Sequence, residues 1–375
     1  MVTESQRRNA VFNNNKLKLG TFATNTIGAI QTVAPDRYHP TWENSLRAAK
    51  AADKAGFEAI LGLARWKSVG GKLPIDHRGG IVLDPFAWAA GLAMATSYST
   101  ILATSHAPTV HPLVVAKQAA TIDHISGGRF GLNVVGGWNR SEFEMFGQPL
   151  ADHDARYDYL EEWLGVIEKL WSATEEFDYE GKFLKLKGAM SRPQPIQQPR
   201  PVIMNAGLSG RGQRFACQYA DCCFVASSAL GKEGIASYKK LAREEFGREV
   251  AVWTEATVVQ GKTKREAEDF LNYFAVQYED TPAIDAWSAG MAAETRGLDG
   301  AASRAARIVV ATGGTPIVGT DTDVADQLEA MSELGIDGVL IPWFDFDDGL
   351  KRFTEGVLPI LEQRGLREPF RPAAG

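Results

Sequence analysis

The chain has 375 residues, 45% of them hydrophobic, and a formal net charge of −6. That length and composition suit a large globular core, and α/β barrels of this size fold as one unit. Charges of both signs are mixed with no basic block, which argues against nucleic acid or an anionic membrane surface as a partner.

Residues 1–15 are polar and lack the apolar stretch of a signal peptide. They read as a flexible arm ahead of a single domain over 16–375. No run of roughly 18 apolar residues is present, so no membrane span is expected and the cytoplasm is the default location. Short apolar runs then alternate with amphipathic stretches. Leu17 to Thr24 reads as a first strand, and Trp42 to Ala55, closed by Gly56, as a helix. Phe57 to Leu63 is a second strand, and Asp84 with Pro85 opens the next helix. Thr100 to Ser105 is a third strand, Leu113 to Ile125 a helix, and Phe130 to Val135 a fourth strand. A strongly amphipathic helix spans Asp154 to Trp171. Pro201 to Asn205, Asp221 to Ala226 and Val250 to Val259 are the next three strands. Helices follow them through Phe215, over Gly234 to Glu245 and over Thr263 to Tyr278. Gly335 to Trp343 is the eighth strand and Phe353 to Gln363 the last helix.

Eight such units predict an α/β fold, a closed (β/α)8 TIM barrel. An open doubly wound sheet is the alternative, but no GxGxxG follows the first strand. Residues 280–318 break the alternation between the last two strands. They are expected to form an insertion that serves as an active-site lid or an oligomer contact.

Barrel enzymes build their sites at the carboxyl ends of the strands. The third strand ends at Thr104, Ser105 and His106. The fourth presents Asn133, then Gly136, Gly137 and Trp138, and the fifth ends at Asn205. Asn133 is a carboxamide inside an apolar strand, where going unpaired costs about 1–3 kcal/mol. It suits the edge of a flat heterocycle, or a hydrogen bond between barrel layers. The two glycines would let a planar ring approach the backbone, with Trp138 as a pocket wall or a core residue. Gly207 to Gly212, with Ser209 and Arg211, precedes a helix and would offer N–H groups to a phosphate. Arg156 and Tyr157 would face the same anion. His106 and His111 flank the third loop, as acid–base groups or as solvated or capping histidines. Cys217, Cys222 and Cys223 lack a CxxC spacing and read as buried apolar residues, with no metal site expected.

The run AATIDHISGGRFGLNVVGGWNRSEFEMFG, Ala119 to Gly147, resembles the bacterial luciferase-like family. Within it, the chain is similar to the FMNH2-dependent two-component monooxygenases, nearest the pyrimidine-ring-opening and the alkanesulfonate and dimethyl-sulfone groups. The resemblance continues through RYDYLEEW (Arg156 to Trp163), RPQP (Arg192 to Pro195), NAGLSGRGQRFACQYAD (Asn205 to Asp221) and GVLIPWFDF (Gly338 to Phe346).

It implies FMN contacts at Ala64, Arg65, Asn133, Glu142, Arg156, Tyr157 and Ser209. It also implies that Thr104 and Asn133 hold O2 beside the flavin. Trp138 resembles a pocket wall. The third loop, with His106 and His111, and the second, LARWKSVGGKLPIDHRGG, depart from the pyrimidine group and should form the substrate end. The implied partners are an NAD(P)H:flavin reductase that supplies FMNH2, and a second copy of the chain in a homodimer or homotetramer. The implied activity oxidises an N-heterocycle, amide or organosulfur compound through a flavin peroxide, with C–N or C–S cleavage. Arg296, Arg304 or Arg307 of the lid would reach a substrate anion or the phosphate. A deazaflavin-dependent dehydrogenase and a non-catalytic flavin-binding relative are the alternatives.

Overall fold

The computed structural model describes residues 9–27, 29–68, 73–208, 210–225, 227–294 and 303–371. Eight parallel strands form its centre: β1 Lys18–Phe22, β2 Ala59–Gly62, β3 Thr100–His106, β4 Phe130–Val135, β5 Val202–Asn205, β6 Cys222–Phe224, β7 Ala251–Gln260 and β8 Gly338–Ile341. Each pairs with the next, and β8 pairs back on β1 through Leu19↔Val339, which closes the barrel. The expected barrel is therefore the observed one.

Strand alternation divides the core in two. On β7, Val252, Ala256 and Val258 face the surrounding helices, whereas Trp253 fills the interior with Leu61, Leu102, Met204 and Leu340. The three cysteines are free and buried.

The principal helices are α1 Trp42–Lys54, α2 Pro85–Ala95, α3 Pro112–Ser126, α4 His153–Ser172, α5 Gly210–Tyr219, α6 Ser227–Phe246, α7 Lys264–Asn272 and α8 Phe346–Arg352. Their starts follow from local chemistry. The Asp84 carboxylate accepts from the Phe86 and Ala87 amides, and Pro85 needs no partner for a missing N–H.

The segment GGRFG has a structural task at the opposite end of the barrel from the strand tips. Gly127 ends α3 in the left-handed region at φ 67°, and Gly128 follows at 91°. The Arg129 guanidinium then donates to the Ala93, Thr96 and Ser99 carbonyls, which caps α2 and fixes the entry into β4.

Three regions differ from expectation. Of the arm expected over 1–15, residues 1–8 lie outside the described residues and 9–15 are packed. Val11 is buried in the lower barrel core. Asn13 and Asn15 donate to Glu58 Oε1 at 2.8 and 2.6 Å. Their polarity serves a buried carboxylate, not solvent. After α4, an exposed hairpin pairs Phe177–Glu180 with Lys185–Ala189.

The insertion consists of helices Thr281–Glu294 and Arg304–Thr312 and a strand, Thr315–Gly319. That strand pairs parallel with Ala256–Gln260, the half of β7 that runs past the barrel. Its glycines and proline give no strand pattern in the sequence. A helix, Asp321–Glu333, follows behind a Thr320–Asp323 capping box.

Candidate active site

β3 and β4 pair through Thr104↔Asn133, so two inward side chains meet at the carboxyl end of the barrel. Thr104 Oγ1 donates to the Gly62 carbonyl at 2.7 Å. Asn133 Nδ2 donates to Thr104 Oγ1 at 2.9 Å. The threonine hydroxyl is thereby used as both donor and acceptor. Asn133 Oδ1 is buried with no partner among the described residues. On β5, Asn205 Nδ2 donates to the Val134 carbonyl at 2.6 Å, and its Oδ1 is likewise buried without a partner. Two acceptors therefore wait at adjacent strand tips.

Beside them sits a cluster of Arg65, His106 and Glu142. His106 Nδ1 lies 3.5 Å from Glu142 Oε2. Glu142 belongs to a short helix, Arg140–Met145, and its Oε1 accepts from the Trp66 amide at 3.0 Å and the Lys67 amide at 3.4 Å. Burial raises the Glu142 pKa against the pull of those amides and Arg65. Burial lowers that of Arg65, which Glu142 opposes. Burial, then Arg65, pushes His106 down to about 4.

His106 is thus a neutral imidazole at pH 7, not the near-neutral proton carrier its loop position suggested. The unfolded chain protonates this histidine near 6.5, the folded chain near 4. Stability that is complete above pH 6.5 is lost as the pH falls toward 4, by roughly 3 kcal/mol at the limit. Urea unfolding at about pH 7 and about pH 5 should show a smaller acid loss in His106→Gln. Equal losses in both proteins would refute the shift.

His111 does not join the site. It is exposed, and its Nδ1 accepts from the Leu113 amide at 3.2 Å, which caps α3. Its place before Pro112 already carries that reading.

The phosphate-side residues gather between β4 and α5. Arg156 is buried and donates to the Gly137 carbonyl. A Cβ at Gly136 would meet only Arg156 Cβ, at an ordinary contact distance of 3.8 Å, so the position is uncrowded. Gly137 is different: it sits at φ +77° with the Phe143 ring where a Cβ would lie, so its smallness serves the turn. The Tyr157 hydroxyl occupies the space a Cβ at Gly212 would take, at the start of α5. Arg211 turns away to Glu161 at 2.8 Å and Asp158 at 3.2 Å. Ser209 lies outside the described residues.

Trp138 packs on the insertion, where a Cβ at Gly290 would sit 2.9 Å from its Cζ3. His77 Nε2 meets Asp280 Oδ2 at 2.8 Å and ties the second loop to the same insertion. Arg307 is held by Glu279 at 2.9 Å and Asp285 at 2.7 Å. Arg304 is exposed and Arg296 lies outside the described residues.

Two polar positions escaped the sequence reading. Asn25 accepts from the Leu63 amide at 2.9 Å and donates to the Leu63 and Leu83 carbonyls at 2.7 and 2.9 Å. It clamps the chain as it enters Ala64, which is half-buried. Nothing in TNTIG marks that role. Glu255 is a half-buried inward residue of β7 whose pKa burial pushes up to about 8. A lone carboxylate among AVWTEATVVQ was a readable signal, of the same kind as Asn133.

The luciferase-like monooxygenase family model matches residues 17–338. The pyrimidine monooxygenase RutA of Escherichia coli O44:H18 is 33% identical over 362 residues, covering 93% of this chain and 97% of the relative. Among solved structures, the long-chain alkane monooxygenase LadA superposes with a TM-score of 0.83 at 24% identity, over 96% of this chain and 94% of its own. The EDTA monooxygenase EmoA of Chelativorans sp. BNC1 gives 0.78 at 22%, over 93% and 94%. These two likenesses speak to the fold alone. The matched span and the RutA relative carry the assignment: the chain belongs to the luciferase-like monooxygenase family and is a flavin-dependent monooxygenase.

Proposed function

We propose that the chain is the oxygenase of a two-component system. It takes FMNH2 from a separate NAD(P)H:flavin reductase and uses O2 to oxidise a small N-heterocycle, amide or organosulfur compound. A C–N or C–S bond opens where the substrate carries one. The observation that carries this reading is the Thr104–Asn133 couple with its orphaned buried acceptor.

The residues present fit a flavin mononucleotide. Asn133 Oδ1 and Asn205 Oδ1 await donors, Gly136 presents backbone without a side chain, and Arg156, Tyr157 and the start of α5 suit the phosphate end. Ala64, Arg65 and Glu142 would wall the ring from the second loop, and Ser209 would complete the phosphate end. Reduced FMN supplies the electrons that activate O2.

The protein's work is positional. Thr104 holds the Asn133 amide in one orientation, so the remaining amide N–H and Oδ1 would be set for a flavin ring and O2 without reorganising. His106 stays neutral and adds no charge beside them. Trp138 and the insertion over 280–318 act as the lid that keeps water out. A homodimer or homotetramer is the expected assembly.

Anaerobic titration with reduced FMN should saturate, and a generic reductase with NADH should then give substrate-dependent O2 uptake over a panel of lactams, sulfones and sulfonates. Failure to bind reduced FMN would end the flavin reading. Hydride transfer to a deazaflavin without O2 uptake would assign the chain to dehydrogenase chemistry.

A further inference from the structure

One carboxyl group at the barrel mouth has no part in holding the flavin as described above. Glu255 shares the inward parity of Ala251 and Trp253, which pack inside the barrel, whereas its neighbour Ala256 packs against the helices. It pairs across to Leu340 of β8. Its stem rests on the insertion, where a Cβ at Gly314 would come 2.7 Å from its Cγ. In strand order β7 lies across the barrel from β3 and β4. Glu255 therefore stands on the inner wall opposite the Thr104–Asn133 couple. Phe22 and Phe224, with ring centroids 5.6 Å apart, give the same space flat apolar walls.

Among the described residues, no charged group offsets the burial of Glu255. Its cross-strand partner is Leu340 of β8, and Gly314 of the insertion lies against its stem. Cys222 lies a layer lower on β6, and its thiol is itself pushed well up by burial. His106, Arg65 and Glu142 belong to the far wall. Among the described residues, the one group that favours the ionised form of Glu255 is its own backbone, and burial outweighs it. At pH 7 the side chain is a neutral acid.

A neutral carboxyl group presents an O–H donor beside a C=O acceptor. The complement of that pair is the adjacent N–H and C=O of a cyclic amide. An anion finds nothing there: the ionised acid repels it, and the neutral acid leaves its charge unmatched.

We propose that Glu255 is the specificity-determining residue of the substrate pocket, pairing its carboxyl group with the amide edge of an uncharged lactam and rejecting sulfonates. The inference rests on the oxygenase reading above.

Calorimetry on FMN-saturated protein tests it, with δ-valerolactam and methanesulfonate as probes between about pH 6 and about pH 10. The lactam should bind below about pH 8 and lose affinity about tenfold per pH unit above it. Methanesulfonate should not saturate. Glu255→Gln keeps a donor and an acceptor, so lactam binding should persist and become flat with pH. Glu255→Leu should weaken lactam binding about 10–100-fold with FMN affinity unchanged. The inference is overturned by lactam binding that ignores Glu255→Leu, by an unchanged pH slope in Glu255→Gln, by saturable methanesulfonate binding, or by no lactam binding in the wild type. Failure of the wild type to take up FMN at all marks instead the failure of the oxygenase reading.

Discussion

Asn133→Ala is expected to lower kcat by about 10²–10³-fold, the scale on which a single preorganised polar group in a dry site contributes. The reason is the geometry of the pair. Asn133 has one amide hydrogen spent on Thr104, and it keeps one N–H and an unsatisfied Oδ1 for the ligand. Truncation removes both remaining groups together. Thr104→Val should cost less, about tenfold, because it only frees the amide to rotate. That ordering separates a residue that contacts the ligand from one that positions it. Binding of reduced FMN, followed by fluorescence, should weaken modestly in Asn133→Ala and hardly at all in Thr104→Val. A kcat within twofold of wild type for Asn133→Ala would sink the assignment, and a larger loss in Thr104→Val would reverse the two roles.

Why some of this was legible in the sequence, and some not, follows from where each signal is written. Barrel strands write theirs in parity. Asn133 stands out because it is polar on an inward-facing position of an apolar strand, and the same test applied to β7 would have marked Glu255 beside Trp253. Loop residues have no parity. Asn25 acts through backbone groups of Leu63 and Leu83, 38 and 58 positions away in the chain, and such partners exist only once the barrel closes. Histidines mislead for a related reason. His106 and His111 look equivalent in SHAPTVHP, yet the first is a buried residue at the end of a barrel strand and the second caps a helix from an exposed position. Burial, set by the fold, moves His106 out of the neutral range. Likewise the glycines of VVGGW look alike, and only the Phe143 ring and a positive φ show that Gly137 is a turn residue while Gly136 is uncrowded. The polar stretch before Leu17 suggested an arm because its partner, the Glu58 carboxylate, lies more than 40 residues away in the chain.

That carboxylate carries the largest stability effect to be expected in the molecule. Glu58 and Arg367 are both buried and meet at 2.7 Å at the floor of the barrel. Arg367 also donates to the Gly56 and Leu17 carbonyls at 2.8 and 3.2 Å. Glu58 accepts from the Leu19 amide at 2.8 Å and from both arm asparagines. The network joins the N-terminal segment, β1, the start of β2 and the C-terminal segment. Arg367→Ala strands a buried carboxylate, which costs about 3–5 kcal/mol. The double variant Glu58→Gln, Arg367→Met removes both charges, keeps an acceptor for the Leu19 amide, and should recover more than half of that loss. Urea unfolding measures both. The floor is the stability end of a barrel, so FMN affinity of the folded Arg367→Ala protein should equal that of wild type. A loss below about 1 kcal/mol would mean that water reaches the pair. A double variant no more stable than Arg367→Ala would mean that the carbonyl and asparagine bonds, not the uncompensated charge, dominate the network.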